Sequence, residues 1–402
     1  MNSHPRLLVL LIALLACGGP PSAPPAPVSP AEEGRALWVS RFEYATAADI
    51  DSIVARAART NFNVIFFQVR GAGDAFYDSP LEPCAVALCG SLGNGRPSWD
   101  PLARAVTAAH QRGLQLHAWI NALSGWGAGS STSCSLLRAS APGSPDHMLI
   151  AHPEWRVVDA AGSAQPCPDG PNEYVYVSPG IPGVRTHLAR IAADIVRRYA
   201  VDGIHLDRVR YPGPAWSHDT TSRRVFGRDP AAFPAEWAQF RRDQVGLAVR
   251  EAFDSVRAVR PTAVLSAAVW GIWQDRWGWG SSHGYGQYFQ DPRAWVAAGS
   301  LHIAVPMTYY AIASTPCGFA DWACLLDDHL VMQSGPGARH VYIGIAASRG
   351  TAQVIRQIEL GRQRGVTGFA IYSSSSVTSE LRAALVGGPF ARPAVVPAKS
   401  WQ

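Results

Sequence analysis

Gly203-Ile204-His205-Leu206-Asp207 follows an amphipathic stretch from Val184 to Tyr199 and runs into Arg208-Val209-Arg210-Tyr211-Pro212. This passage, a helix followed by a short apolar strand ending in a carboxylate, is one unit of a longer pattern. From Gly34 onward, β-rich apolar runs alternate with helical stretches eight times, which is the strand number of a (β/α)8 TIM-type barrel. Upstream of it, the strands read as Arg35–Arg41, Asn63–Arg70 and Leu114–Asn121, with helices over Ala47–Arg59 and Pro101–Arg112. Downstream they read as Ala263–Trp270, after a long helix over Pro234–Val259, then Leu301–Tyr309, Val341–Ile345 and Gly368–Tyr372. The segment between Asn121 and Pro182 exceeds ordinary loop length and is predicted to be functional or ordered by its own cysteines. An open doubly wound sheet also alternates strand and helix, but no strand here is followed by the glycine fingerprint of a dinucleotide fold. Several strands instead end in polar or aromatic residues followed by long loops, as at the catalytic face of a barrel.

Strand residues alternate faces, so polar side chains at every second position share one side. Gly203, His205 and Asp207 fall on one face; so do His117, Trp119 and Asn121, and Phe66, Gln68 and Arg70. Barrel interiors are filled mainly by branched aliphatics, and an active site at the strand carboxyl ends gives such polar residues a reason to point inward. Asp207 is the leading catalytic candidate, the alternative being a structural Asp–Arg bridge with Arg208 or Arg210. His205, one layer deeper, reads as a hydrogen-bonded support within the substrate-facing set rather than a proton carrier. Glycoside hydrolysis usually needs a second carboxyl group. Glu43 follows the first strand, Asp74 lies in the glycine-rich run Arg70–Tyr77, and Asp275 sits among Trp270, Trp273, Trp277 and Trp279, a cradle suited to a sugar. Asp291 precedes Pro292 and reads as a helix N-cap. Gly280-Ser281-Ser282-His283-Gly284 matches a hydrolase serine motif, but it lies well past the fifth strand, outside the strand–turn–helix setting that motif requires.

Composition narrows the classes further. The chain has 402 residues, 48% of them hydrophobic and 16% charged, so it can fill a large core and is no disordered polyelectrolyte. A net charge of +5 without clustered Lys/Arg argues against a nucleic-acid partner. With 14 Trp and 12 Tyr, many of them beside Gly and polar residues, the sequence offers flat aromatic faces for the apolar faces of sugars.

Arg6 precedes an apolar run from Leu7 to Leu15 ending in Ala16-Cys17, too short to span a bilayer and shaped like a signal peptide with a lipobox. Residues 1–16 are therefore read as a signal, Cys17 as the lipidated first mature residue, and 17–33 as a Pro-rich tether. Residues 34–388 form the barrel and 389–402 a loose tail. The expected location is extracytoplasmic, on a bacterial membrane. Setting Cys17 aside leaves six cysteines of the seven, an even set for an oxidising compartment. Cys84 with Cys89 and Cys317 with Cys324 are close enough in sequence to pair locally, leaving Cys134 for Cys167. Neither a CxxC pair nor an HExxH helix occurs, so no metal or cofactor is expected.

Several of these stretches, taken in order, resemble the family-10-like bacterial glycosyl hydrolases, long catalogued as a lipoprotein domain of unknown function. They are Arg35–Val39, Phe62–Val64 with Gln68–Gly71, His110–Asn121, His152–Trp155, Val177–Gly180, Val201–Asp207 with Tyr211-Pro212, and Val305–Tyr309. The resemblance implies a TIM-type barrel and glycan hydrolysis, and some relatives cut peptidoglycan strands lacking stem peptides. Arg208 stands where many relatives have Asp or Tyr, and Ser373–Ser376 where others have an aromatic ending. The expected protein is thus a polysaccharide hydrolase using Asp207 with a second carboxylate from Asp74 or Asp275. Its cleft would be lined by Arg70, His117, Asn121, Arg210, Tyr211 and Tyr309, with His205 and Trp270 also facing substrate. The alternative is a catalytically silent glycan-binding or envelope scaffold. A metal-dependent deacetylase would need His/Asp clusters that the sequence does not display.

Overall fold

The computed structural model describes Met1 and residues 30–127, 137, 139–167, 174–335 and 337–399. The signal segment with Cys17 lies outside the described residues, as does Cys134. Eight parallel strands close into a barrel: β1 (Gly34–Val39), β2 (Val64–Arg70), β3 (Gln115–Asn121), β6 (Gly203–Asp207), β7 (Val264–Trp270), β8 (Ile303–Met307), β9 (His340–Ala346) and β10 (Gly368–Tyr372). Between β3 and β6, an antiparallel pair, β4 (Ser124–Gly127) and β5 (Tyr174–Tyr176), stands apart from the barrel. Closure in the order β1-β10-β9-β8-β7-β6-β3-β2 excludes the doubly wound sheet. Each strand expected from the sequence is present.

Alternation along the strands sorts the core into two layers. Ala36, Trp38, Phe66, Trp119, Val305 and Ala370 pack together inside the barrel. Leu37, Ile65, Phe67, Leu116 and Ile204 point outward and pack with helix residues such as Leu102, Leu188 and Val249. The helix Ala47–Arg59 shows how the outer ring is specified. Thr46 and Asp49 form a capping box, and Ile50, Ile53, Val54 and Ala57 line a single buried stripe.

Where the long β3–β6 connection reaches Ser178, it is tied to a buried carboxylate of the loop after β6. Asp219 Oδ2 accepts the hydroxyls of Ser178, Ser217 and Ser222 at 2.7, 3.0 and 2.7 Å, pinning this excursion to the loop after β6. Disulfides join Cys84 to Cys89 and Cys317 to Cys324, with Cα separations of 6.1 and 5.5 Å. Cys167 is also disulfide-bonded.

The segment after Pro389 is not a loose tail. Phe390 is fully buried, Arg35 Nη1 donates to Arg392 O at 2.7 Å, and Asn63 Nδ2 donates to Ala394 O at 2.9 Å. The Glu33 amide donates to Val395 O at 2.9 Å, and Val396 packs against the interior cluster that contains Tyr342. The chain end therefore closes the barrel at its amino-terminal mouth. Its Pro-rich composition hid this role, because the partners are long-range carbonyl contacts that leave no periodic signal.

Candidate active site

Asp207 ends β6 directly beside Asn121, its register partner at the end of β3. Its side chain is 13% exposed and lines a cavity of about 210 Å³ at the carboxyl ends of the strands. Oδ1 accepts the Arg208 amide at 2.6 Å, and Arg208 itself sits at φ 50°, a left-handed conformation uncommon for a residue with a Cβ. Such backbone strain persists only where surrounding structure enforces it, and it concentrates at functional sites. The Arg210 guanidinium lies 3.8 Å from Asp207 Oδ1 and 5.1 Å from the centre of the Trp270 ring. That distance is an ion pair without a hydrogen bond, and the buried Nη1 of Arg210 has no hydrogen-bond partner among the described residues.

Aromatic rings form one part of the cavity wall. Trp38 and Trp119 line it, as do Tyr309 and Tyr372, which stack on each other at 5.2 Å. Trp38 is held from below: its Nε1 donates to His205 Nε2 at 3.0 Å, and His205 Nδ1 meets Ser266 Oγ at 2.9 Å. An indole only donates, so Nε2 must be the acceptor and Nδ1 carries the proton. Burial pushes the His205 pKa well below its ordinary value, so the ring stays neutral and passive. A polar wall completes the pocket. Gln68 Oε1 accepts the Arg41 amide at 3.1 Å while its Nε2 donates to Asn121 Oδ1 at 3.2 Å. Asn121 Nδ2 in turn donates to Gly71 O at 2.9 Å. Burial, followed by the charge of Asp207, pushes the Tyr309 hydroxyl well above its usual range, and Tyr372 is raised by the same two causes in the same order. Both hydroxyls therefore remain protonated donors. A wider mouth of about 570 Å³ shares Tyr174, Arg208, Arg210 and Tyr309 with the inner cavity and adds Trp270, Tyr288 and Tyr310. A single carboxylate among aromatic faces and protonated hydroxyls suits proton transfer to or from, or attack on, a polyhydroxylated substrate.

The structure brings Asp207, Asn121, Arg210, Trp270 and Tyr309 together and leaves the other candidates elsewhere. Asp74 does not line the cavity; its Oδ1 accepts the Ala72 amide at 2.8 Å and shapes its own loop. Asp275 is likewise outside the lining, receiving the amides of Trp279, Gly280 and Ser281 at 2.9, 2.7 and 3.3 Å. Those backbone hydrogen bonds lower its pKa and mark it as a loop staple. Arg70 is turned away from the cavity by a register shift between Gln68 and Arg70, which places Arg70 opposite the outward-facing Ile120. There it is buried against Glu82 at 2.7 Å. His117 does face inward but lies at the level of Gly203, below the cavity, where burial lowers its pKa to about 4. Tyr211 is fully buried and packs edge-on against Phe289.

Glu43, which the sequence offered only as one loop carboxyl among several, does not line the cavity itself but directly follows three residues that do, Ser40, Arg41 and Phe42. Its Oε1 accepts the Ser40 amide at 3.2 Å, its Oε2 is buried without a hydrogen-bond partner among the described residues, and its charge acts on Tyr372 alongside that of Asp207. The reading of Asp291 as an N-cap holds, with its Oδ1 accepting the Ala294 amide at 3.4 Å. Among the described residues, the one grouping of metal-type donors is Cys317, Asp321 and Cys324. The disulfide takes both sulfurs, and Asp321 accepts the amides of Ala313 and Cys317.

Solved structures share this architecture. The glycoside hydrolase domain of PgaB (BpsB) from Bordetella bronchiseptica superposes with a TM-score of 0.63 at 13% identity, covering 89% of this chain and 98% of that one. The catalytic domain of β-amylase from Paenibacillus polymyxa gives 0.61 at 11% identity, over 88% and 95%. At such identities the likeness is one of fold. In sequence, the chain is 25% identical to the glycosyl hydrolase YngK of Bacillus subtilis (strain 168), over 92% of this chain and 71% of the relative. It is also 25% identical to the glycosyl hydrolase DigH of Escherichia coli (strain K12), over 85% and 82%. The profile described as glycosyl hydrolase-like 10 matches residues 33–357, from β1 through β9 with Asp207 inside it, and the chain belongs to that family.

Proposed function

We propose that this protein hydrolyses O-glycosidic bonds of a polysaccharide, with peptidoglycan glycan strands as its substrate, and that Asp207 is a catalytic carboxyl group. One observation carries the reading: Asp207 is the carboxylate that lines the aromatic cavity at the carboxyl ends of the strands, where barrel enzymes place their chemistry. Glycoside hydrolysis divides its labour between a group that protonates the leaving oxygen and one that attacks the sugar or activates water. Glu43 is the partner we assign, in place of Asp74 and Asp275: like them it does not line the cavity, but it directly follows Ser40, Arg41 and Phe42, which do, and its buried Oε2 has no hydrogen-bond partner among the described residues, whereas their carboxylates accept their own loop amides. Tyr309 and Tyr372 would meet the sugar over a floor formed by the buried Trp38 and Trp119, and their protonated hydroxyls would donate to its oxygens.

The test is incubation of the soluble barrel with peptidoglycan strands stripped of stem peptides, and with a panel of other polysaccharides, followed by mass analysis of the products. Shortened glycan chains carrying one added water per cut are expected. Intact chains from every polymer, with a folded protein, would leave a glycan-binding scaffold as the function.

Anchoring belongs to the same proposal. The apolar run ending in Leu15-Ala16-Cys17 and the proline-rich spacer behind it support lipidation at Cys17, on an extracytoplasmic membrane face. Cys17→Ser is expected to release the protein from membranes or leave its precursor uncleaved. Unchanged membrane association of a lipid-free protein would contradict it.

A further inference from the structure

Beside the cleft, two loops carry aromatic side chains that the cavity does not use. The first runs from Gly271 to Asp291 after β7, the second from Thr308 to Asp321 after β8, and the last residues of these strands, Trp270 and Met307, line the mouth of the cleft. Trp277 and Trp279 stack face to face at 4.4 Å with 17° between their planes, and Phe319 of the second loop lies 6.4 Å from Trp279. Phe319 is 71% exposed and both tryptophans are partly open to solvent. Apolar faces of this size in water raise the free energy of the isolated protein.

The surrounding structure nevertheless holds these rings in place. Asp275 gathers the amides of Trp279, Gly280 and Ser281. Trp279 Nε1 donates to Cys317 O at 3.2 Å, tying the first loop to the second, and the Cys317–Cys324 disulfide ties the second to the helix Trp322–Ser334. At the root of the first loop, the Trp273 ring has the guanidinium of Arg293 at 3.6 Å and that of Arg276 at 4.9 Å, and both arginines pair with Asp328. Exposed aromatic faces fixed by backbone hydrogen bonds, ion pairs and a disulfide have prepaid the ordering cost that a flexible loop would incur on binding.

We propose that Trp277, Trp279 and Phe319 form a ledge that binds the glycan chain where it runs out of the cleft on the β7–β8 side. This rests on the reading that the cleft acts on a glycan, and it adds a second, non-catalytic contact specific for long chains. Flat apolar faces of sugar rings match flat aromatic faces, and a polymer is the occupant long enough to reach both sites at once. Short oligosaccharides fill only the cleft and do not sense the ledge.

The experiment uses Trp277→Ala and Phe319→Ser, each checked for an unchanged melting temperature. Binding is read by co-sedimentation with insoluble peptidoglycan stripped of stem peptides, with chitin and with cellulose, all in an Asp207→Asn background that prevents turnover. Kinetics are read in the wild-type background on polymer and on short oligomers of the same glycan. Each ledge variant is expected to weaken co-sedimentation about tenfold and raise KM for polymer about tenfold, with kcat and short-oligomer kinetics unchanged. Variants that sediment and turn over polymer like their parents, or a parent retained by none of the three glycans, would overturn the ledge. Glycan retention that the variants lose, in a protein without any turnover, would sustain the ledge while removing the hydrolase reading.

Discussion

Replacing Arg70 separates a structural role from a substrate contact. The guanidinium is 1% exposed, its Nη2 lies 2.7 Å from Glu82 Oε1, and its Nη1 donates to the Asn121 carbonyl just below the cavity. Arg70→Met keeps much of the side-chain volume but leaves the buried Glu82 with His187, at 3.3 Å, as its remaining ion-pair partner among the described residues. Breaking a buried ion pair by removing one partner costs about 3–5 kcal/mol. Unfolding entropy of about 2.1 cal/mol/K per residue gives a barrel of this size about 0.8 kcal/mol per degree, so Tm is expected to fall by about 4–6 °C. The pair also has a pH signature. Burial alone would raise the Glu82 pKa, but the charge of Arg70, followed by the hydrogen bond from His187, overrides it and holds the value at about 2 against an ordinary 4.5. Because the folded value is the lower one, this stabilisation is complete above about pH 4.5 and fades as pH falls toward about 2. The stability deficit of Glu82→Gln should therefore be full at neutral pH and shrink through that window. The assay is calorimetric Tm from pH 2 to 7, with KM measured at neutral pH. An Arg70→Met protein with unchanged Tm and a raised KM would refute the argument and restore Arg70 as a substrate contact.

Truncation after Gly388 removes the buried Phe390 and the carbonyls that Arg35 and Asn63 donate to. Loss of the Phe390 burial alone is worth about 1.5–3 kcal/mol, so a clear drop in Tm is expected, and an unchanged Tm would mean the chain end is dispensable. Trp38→Phe removes the donor to His205 Nε2 and leaves that nitrogen buried without a partner, at a cost of about 1–3 kcal/mol by denaturant unfolding; wild-type stability would contradict the tautomer assigned to His205. Peptide mapping without reduction should recover Cys84 with Cys89, Cys317 with Cys324, and Cys167 with Cys134; free thiols at these positions would be evidence against an oxidising compartment.

The fold was legible because its signal is repetitive. Eight near-continuous apolar runs, separated by helical stretches, leave few ways to bury both faces of every strand. Alternation reports which face a residue takes but not its height in the barrel. His117 and His205 were placed inward correctly, yet they lie beneath the cavity, as neutral rings. Arg70 shows a second limit. The register shift beyond Gln68 turns it to the outer face, and no residue type in the sequence announced that shift. Asp207 and Asn121 were legible because they are the last residues of adjacent strands and share a register position. Trp38 and Tyr372 were missed, although an inward aromatic on the first strand and an aromatic at the end of the last were both visible in the sequence. The carboxyls of the glycine-rich and Trp-rich loops misled because their work is to bind their own backbone amides, which sequence does not distinguish from catalysis.

The most direct measurement is turnover of Asp207→Asn on a glycan that the wild type cuts, made together with its melting temperature. Asparagine keeps the shape and can still accept the Arg208 amide, but it carries neither the charge nor the proton that the reaction needs. A catalytic Asp207 predicts a loss of about 10²-fold or more in kcat at a Tm close to that of the wild type, with glycan binding retained. A stable, folded Asp207→Asn protein that turns over at near the wild-type rate would contradict the account.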